Sequence, residues 1–196
     1  ENVRCVVLVI VSVVYRGPMS TPRVATGSFG DLGPINWVFA RGAARVIGVD
    51  EARIFSTLGR AKGLFRGWLH FGARLMPFGA LSRKDSEMII IRVAHLRRCD
   101  YELDHHRRLG ARAGISSDEF DRILAGPDEG WGDRERALLR ATDELVTDKD
   151  ISDPTWAALR RHLDEAKLVA FVLLVGQYDM LATTIGTLRV QRDTRV

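Results

Sequence analysis

The 196-residue chain has two cysteines and six prolines, and aromatic residues make up 8% of it. Cys5 and Cys99 lie far apart in unlike surroundings, which argues against a disulfide scaffold and for a reducing compartment, so a cytoplasmic protein is expected. Charge of one sign is not concentrated either. The net charge of +4 is spread over scattered arginines. The densest basic group, Arg107, Arg108 and Arg112, is interleaved with acids and lacks the aromatic platforms that single-stranded nucleic acid needs, so no nucleic-acid partner is expected. An uninterrupted apolar run long enough to cross a bilayer is missing too. The most apolar stretch, CVVLVIVSVV at 5–14, has the length of a signal-peptide core, yet only Arg4 precedes it and no small-x-small cleavage site follows. Glu1 begins the chain and Met19 opens MSTPRVATG, which reads as a natural start, so residues 1–18 are expected to be an upstream extension and no membrane partner is expected. G-x-S-x-G, Walker, dinucleotide-binding and H-E-x-x-H motifs are absent, as are solenoid repeats and low-complexity tracts.

What is present is the composition of an ordinary globular protein, 46% hydrophobic and 28% charged, at a length that fits one domain. Residues 1–30 read as a leader or poorly structured extension, 31–190 as the domain and 191–196 as a tail. The apolar period is helical throughout the domain and no run alternates as a half-buried strand does, so the fold class is all-α, a helical bundle. Short helices are expected at 34–48 and 51–60. GLFRGWLHFGARLMPFG (63–79) sets Leu64, Trp68, Phe71 and Leu75 on one apolar stripe, with Trp68 and Phe71 read as core, and ends at Met76-Pro77 and Gly79. Ser82 with Asp85 three residues on starts a helix that continues through Ile89, Ile90, Val93 and Leu96. Further helices are expected from Asp100 to Gly114, over 115–124, from Asp133, from Asp153 as N-cap with Pro154 as first residue, and over 167–188. The last is apolar nearly all round and interrupted by Gln177 and Asp179, so it is expected to be buried, with part of its cover supplied by a second copy in a homo-oligomer.

The chemistry concentrates in RRCDYELDHH, residues 97–106. On a helix from Asp100, one stripe holds Cys99, Glu102, Leu103, His106, Leu109, Gly110 and Ala113. Thiol, carboxylate and imidazole thus point inward, Glu102 and His106 are four residues apart, and Cys99 sits at a helix start next to Arg97 and Arg98, where a thiolate is favoured. Glu87 shares a face of the preceding helix with Ile90, Ile91 and Ala94, an acid in an apolar stripe that suits acid/base work if buried. The same residues also fit a plainer structure, with Glu102 and His106 as a surface ion pair, Cys99 as a small core residue and Glu87 paired with an arginine such as Arg74. Glu102 and His105 have the E-x-x-H spacing of di-iron bundles, but no second copy exists. His95, Asp104, His105 and His106 could offer metal ligands, although His105 and His106 diverge by about 100° around a helix.

The stretch LSRKDSEMIIIRVAHLRRCDYELDHHRRLGARAGIS resembles the carboxymuconolactone decarboxylase and alkylhydroperoxidase D-like superfamily, and the likeness extends over roughly 33–190. The peroxidase branch carries a glutamate, a C-x-x-C twelve residues later and a histidine four beyond the second cysteine. Glu87, Cys99 and His106 occupy those positions, and Glu102 stands where the second cysteine belongs. The resemblance implies an α-helical trimer or hexamer and an enzyme that needs no cofactor and no metal. Lacking the cysteine pair, the chain is expected to act like the decarboxylase branch, by acid/base chemistry on a small organic acid or lactone. In that reading His106 moves a proton, Glu102 is its partner and Glu87 is a second acid/base. Cys99 and Tyr101 line the pocket, and Arg74 or Arg98 holds a substrate carboxylate. The alternatives are an alkylhydroperoxidase working through Cys99 alone and a non-catalytic helical oligomer.

Overall fold

A computed structural model describes residues 21–128 and 130–195. The expectations for the 5–14 run and for residues 1–18 lie outside the described residues. Among those described, the chain is all-α: α1 (Phe29–Ile47), α2 (Arg53–Leu58), a 3-10 turn (Gly59–Ala61), α3 (Gly63–Leu75), α4 (Arg83–Leu96), α5 (Asp100–Arg112), α6 (Ser117–Ala125), α7 (Asp133–Thr147), α8 (Asp153–Arg160) and α9 (Glu165–Leu188).

Helix starts follow local side-chain chemistry. Ser28 donates through N and Oγ to Asp31 (2.8 and 2.7 Å), so α1 begins ahead of residue 34, and it bends at Gly33, whose φ of 74° precedes Pro34. The Ser82 hydroxyl accepts from the Asp85 amide at 3.1 Å and fixes the start of α4. Ser116 with Glu119 and Asp164 with the Lys167 amide do the same for α6 and α9. Ser152, one residue earlier than expected, occupies the N-cap position of α8.

Helix α4 is the axis of the fold. Every residue from Asp85 to Ala94 is buried, because α5, α6, α7 and α9 pack around it. Its isoleucines divide between two cores: Ile89 and Ile90 face Leu138, Leu159 and Phe171, while Ile91 faces Ile123 and Leu139. Helix α5 lies close against α4 at Gly110, where a Cβ would meet the Ile91 Cδ1 at 3.0 Å. Arg92, buried on α4, forks onto both Asp143 oxygens (2.6 and 2.7 Å) and also donates to the Ile123 and Leu124 carbonyls, tying α4 to α6 and α7.

One expectation changes, in α3. Its buried residues are Phe65 and Leu75, whereas Leu64 is 76% exposed and Phe71 39%. GLFRGWLHFGARL carries apolar residues on two sides, and docking against Phe55 and Phe39 selects the side of Phe65 and Trp68. Helix α9 buries Leu168, Phe171, Leu174, Val175, Leu181 and Ile185 but leaves Val169, Val172, Leu173 and Met180 exposed, so it is not covered all round by its own chain. By length and composition α9 could cross a membrane, and here it packs on α3, α4, α7 and α8.

Both ends of the described chain are pinned. The Gly27 amide donates to the Ser56 carbonyl and Arg60 donates to the Ala25 and Thr26 carbonyls. The segment read as a tail returns across α2 and α5 through Asp50 N to Thr194 O and Arg53 N to Asp193 Oδ1, each 3.0 Å.

Because Arg92 is buried, removing its counter-ion leaves an uncompensated charge. Asp143→Ala should cost about 3 kcal/mol in urea unfolding, and adding Arg92→Met should restore part of that loss.

Candidate active site

The packing of α5 on α4 brings together Glu87, fully buried, and His106, 7% exposed. The imidazole Nδ1 lies 2.7 Å from Glu87 Oε2. The other oxygen of Glu87, Oε1, is 2.7 Å from an Arg83 guanidinium nitrogen one turn earlier on α4, an ion contact whose angle falls outside hydrogen-bond geometry. Arg83, and not Arg74, is therefore the cation beside Glu87. The expected pair of Glu102 with His106 is not made, since His106 turns its Nδ1 to Glu87. With Nδ1 engaged by a carboxylate, Nδ1 holds the proton and Nε2 is left as an acceptor.

Glu102 lies on the same side of α5 and is 3% exposed. Its Oε2 has no partner and no cation sits beside it, so burial alone pushes its carboxyl up to about 8. At neutral pH it is predominantly a protonated acid. The Tyr178 ring meets the His106 ring edge-on at 5.3 Å. Its phenol is pushed up by burial and by the carboxylates of Glu102 and Glu87.

Cys99 behaves differently from the thiolate expected at a helix start. Burial, and then the Glu102 charge, push its thiol up to about 12, against the smaller opposing effect of the Glu102 and Tyr101 amides. The neighbouring cations do not help. Arg97 turns to Asp179 and Thr183 (3.0 and 2.8 Å), and Arg98 is exposed. Cys99 packs with Ile54, Leu181, Ala182 and Ile185.

A cavity of about 430 Å³ opens beside these groups, walled by α1, α2, α3, α5 and α9. Tyr101, Glu102 and His106 line it, whereas Glu87 stands behind His106 and Cys99 is not in the wall. Arg74 and Arg98, expected to hold a substrate carboxylate, are exposed and outside it; Arg108 and Arg112 are the arginines that reach it. Trp68, expected as core, also lines it, and its indole N–H is buried without a partner.

Two contributors, Tyr178 and Asp193, were invisible in the spacing of residues 97–106. Tyr178 comes from α9. His105 also lines the cavity, and its Nε2 lies 3.1 Å from Asp193. Asp193 also accepts from the Tyr101 hydroxyl at 2.8 Å, so the C-terminal segment holds two cavity-lining rings in place. The one local signal for it is the charged run Arg192-Asp193-Thr194-Arg195. Among the described residues, no group of three or more His, Cys, Asp or Glu side chains could hold a metal ion.

Residues 62–144 match the carboxymuconolactone decarboxylase family. No curated protein matches the chain in sequence. In fold it is similar to the AhpD core of an uncharacterized peroxidase-related protein from Ralstonia eutropha JMP134, with TM-score 0.75, 16% identity, and coverage of 90% of this chain and 93% of that one. A peroxidase-related protein from Silicibacter sp. TM1040 aligns with TM-score 0.70 and 13% identity over 88% and 94% of the two chains. The debrominase Bmp8 aligns with TM-score 0.73 and 15% identity over 86% and 91%. At these identities the likeness is one of fold.

The Glu102 carboxyl makes stability depend on pH in a defined direction. It ionises near 4.5 in the unfolded chain but only near 8 in the fold, so the folded state binds the extra proton between those values. Stability should therefore fall as pH rises through that window, by up to about 1.4 kcal/mol per pH unit, with no contribution below it. Glu102→Gln removes this slope. Urea unfolding of both proteins across the window should show the variant gaining on the parent as pH rises; a constant difference would contradict the assignment.

Proposed function

We infer, with the match of residues 62–144 to the carboxymuconolactone decarboxylase family in support, that the chain is an enzyme using acid/base chemistry on a small carbonyl-bearing organic acid or lactone. The observation that carries this reading is the pairing of opposites in one cavity. An imidazole with its Nδ1 tied to a buried carboxylate stands near a carboxylic acid that burial keeps protonated.

His106 Nε2 accepts a proton from the carbon next to the substrate carbonyl. Glu102 donates a hydrogen bond or its proton to the carbonyl oxygen, so the electron pair of the broken C–H bond is stored as an enol. In a decarboxylation no C–H bond breaks: the pair of the broken C–C bond enters the same enol as carbon dioxide leaves, a proton taken up from solvent through His106 is delivered to carbon, and the enol O–H proton returns to Glu102. Glu87 holds the ring and stabilises its charged form, so it acts through His106 and does not touch the substrate. That differs from the second acid/base role expected from its position.

The Cys99 peroxidase alternative loses support, because a buried thiol pushed up to about 12 and lying outside the cavity wall is a poor nucleophile. Self-association belongs to the same proposal: the exposed Val169, Val172, Leu173 and Met180 of α9 support a second copy covering that helix.

A panel of small keto acids and lactones incubated in deuterium oxide and followed by proton NMR tests the chemistry. His106→Ala and Glu102→Gln should each lower deuterium incorporation or turnover by about 10²-fold or more. Cys99→Ser should leave it within a few-fold of the parent. Hydroperoxide turnover that Cys99→Ser abolishes would overturn the proposal in favour of thiol chemistry, and intact turnover in both acid/base variants would leave a non-catalytic scaffold.

A further inference from the structure

The composition of the cavity wall narrows the ligand. Phe39, Phe55, Trp68, Leu109, Tyr178 and Leu181 make most of it apolar and aromatic. Three of these rings belong to one packed aromatic group, with Phe39 and Phe55 5.4 Å apart and Phe55 and Trp68 6.3 Å apart. The wall's charges are unequal. Among the described residues its only carboxyl is Glu102, and its permanent cations are Arg108 and Arg112.

Both arginines remain available to an anion. Arg108 donates to the Asp104 backbone carbonyl at 3.2 Å and lies 3.4 Å from His105 Nδ1, and no ion pair to Arg108 or Arg112 occurs among the described residues. The buried carboxylate of Asp193 is already engaged by Tyr101, His105 and the Arg53 amide. Along α5 the order is Glu102, His106, Arg108, Arg112, so the cavity has an acid/base end and a cationic end. With 1.5 Å of rise per residue, Arg108 and Arg112 lie about 3 and about 9 Å beyond His106 along the helix axis.

We propose that the cavity binds an amphipathic monocarboxylic acid whose ring packs against the Phe55–Trp68 wall and whose carboxylate lies on Arg108 and Arg112, further along α5 than His106. This rests on the acid/base reading for the identity of the reacting end, and the arginine end stands on its own geometry. Two guanidiniums in the wall of a largely apolar chamber favour an anion with a greasy body over a small polar anion or an uncharged ring.

Three matched, unreactive probes separate the contributions: 4-phenylbutyrate, 4-phenyl-1-butanol and butyrate, titrated by ligand-observed NMR and calorimetry at neutral pH. The parent protein should bind 4-phenylbutyrate at least about ten-fold more tightly than either of the others. Arg108→Gln with Arg112→Gln should erase the preference for the acid over the alcohol while leaving alcohol binding intact, which also shows that the variant is folded. Arg112→Gln alone, at an exposed position, should lose part of the preference. Equal binding of acid and alcohol by the parent, or a preference that survives both substitutions, would overturn the proposal. Because the probes do not react, a protein that binds them as described but turns over no carbonyl acid refutes the acid/base reading and spares this one. Turnover lost in His106→Ala together with absent probe selectivity does the reverse.

Discussion

The structure depends on a carboxylate placed where water cannot reach it. Glu87 sits in the middle of α4, the one helix with no free face along its central three turns, and a bare carboxylate there would be prohibitively expensive. Two groups make the position tenable: Arg83 one turn back and His106 across the α4–α5 contact. The requirement works in both directions. Glu87 fixes the rotation of α5, and α5 in turn presents to the cavity a histidine whose ring can no longer rotate.

The second acid shows the opposite solution to the same problem. Glu102 is as inaccessible as Glu87 but has neither cation nor donor, and it responds by keeping its proton. Two buried glutamates beside one histidine thus acquire different jobs from their surroundings: one polarises the ring and the other stands ready to donate. Cys99, between the two helices, follows the same logic as Glu102. Removed from water and close to an acid, its thiol is held neutral and serves as packing between α2, α5 and α9.

The helical class and the inward stripe of α5 were legible because a 3.6-residue period and serine-acid caps are local signals, as at Ser82–Asp85 and Ser116–Glu119. The inward orientation of Glu102 and His106 followed from that stripe. The pairings were not legible. Periodicity puts residues on a face but cannot say which neighbour meets them, so the choice of Glu87 over Glu102 as the partner of His106 needed the register between α4 and α5, set partly by Gly110. The thiolate expected at Cys99 rested on a helix terminus and two nearby arginines, and it failed because burial outweighs both once Arg97 has turned to Asp179. Asp193 was out of reach for another reason: its partners Tyr101 and His105 lie about ninety positions earlier in the chain, and no local pattern records so distant a return.

The central claim is that Glu87 fixes His106 as the tautomer whose free nitrogen faces the cavity. Long-range nitrogen–proton NMR correlation of the His106 ring tests it directly at a pH where the ring is neutral. The account predicts a proton on Nδ1 and an unprotonated Nε2 in the parent protein, with the two forms mixing in Glu87→Leu. A ring protonated on Nε2, or a tautomer indifferent to the loss of Glu87, would contradict it.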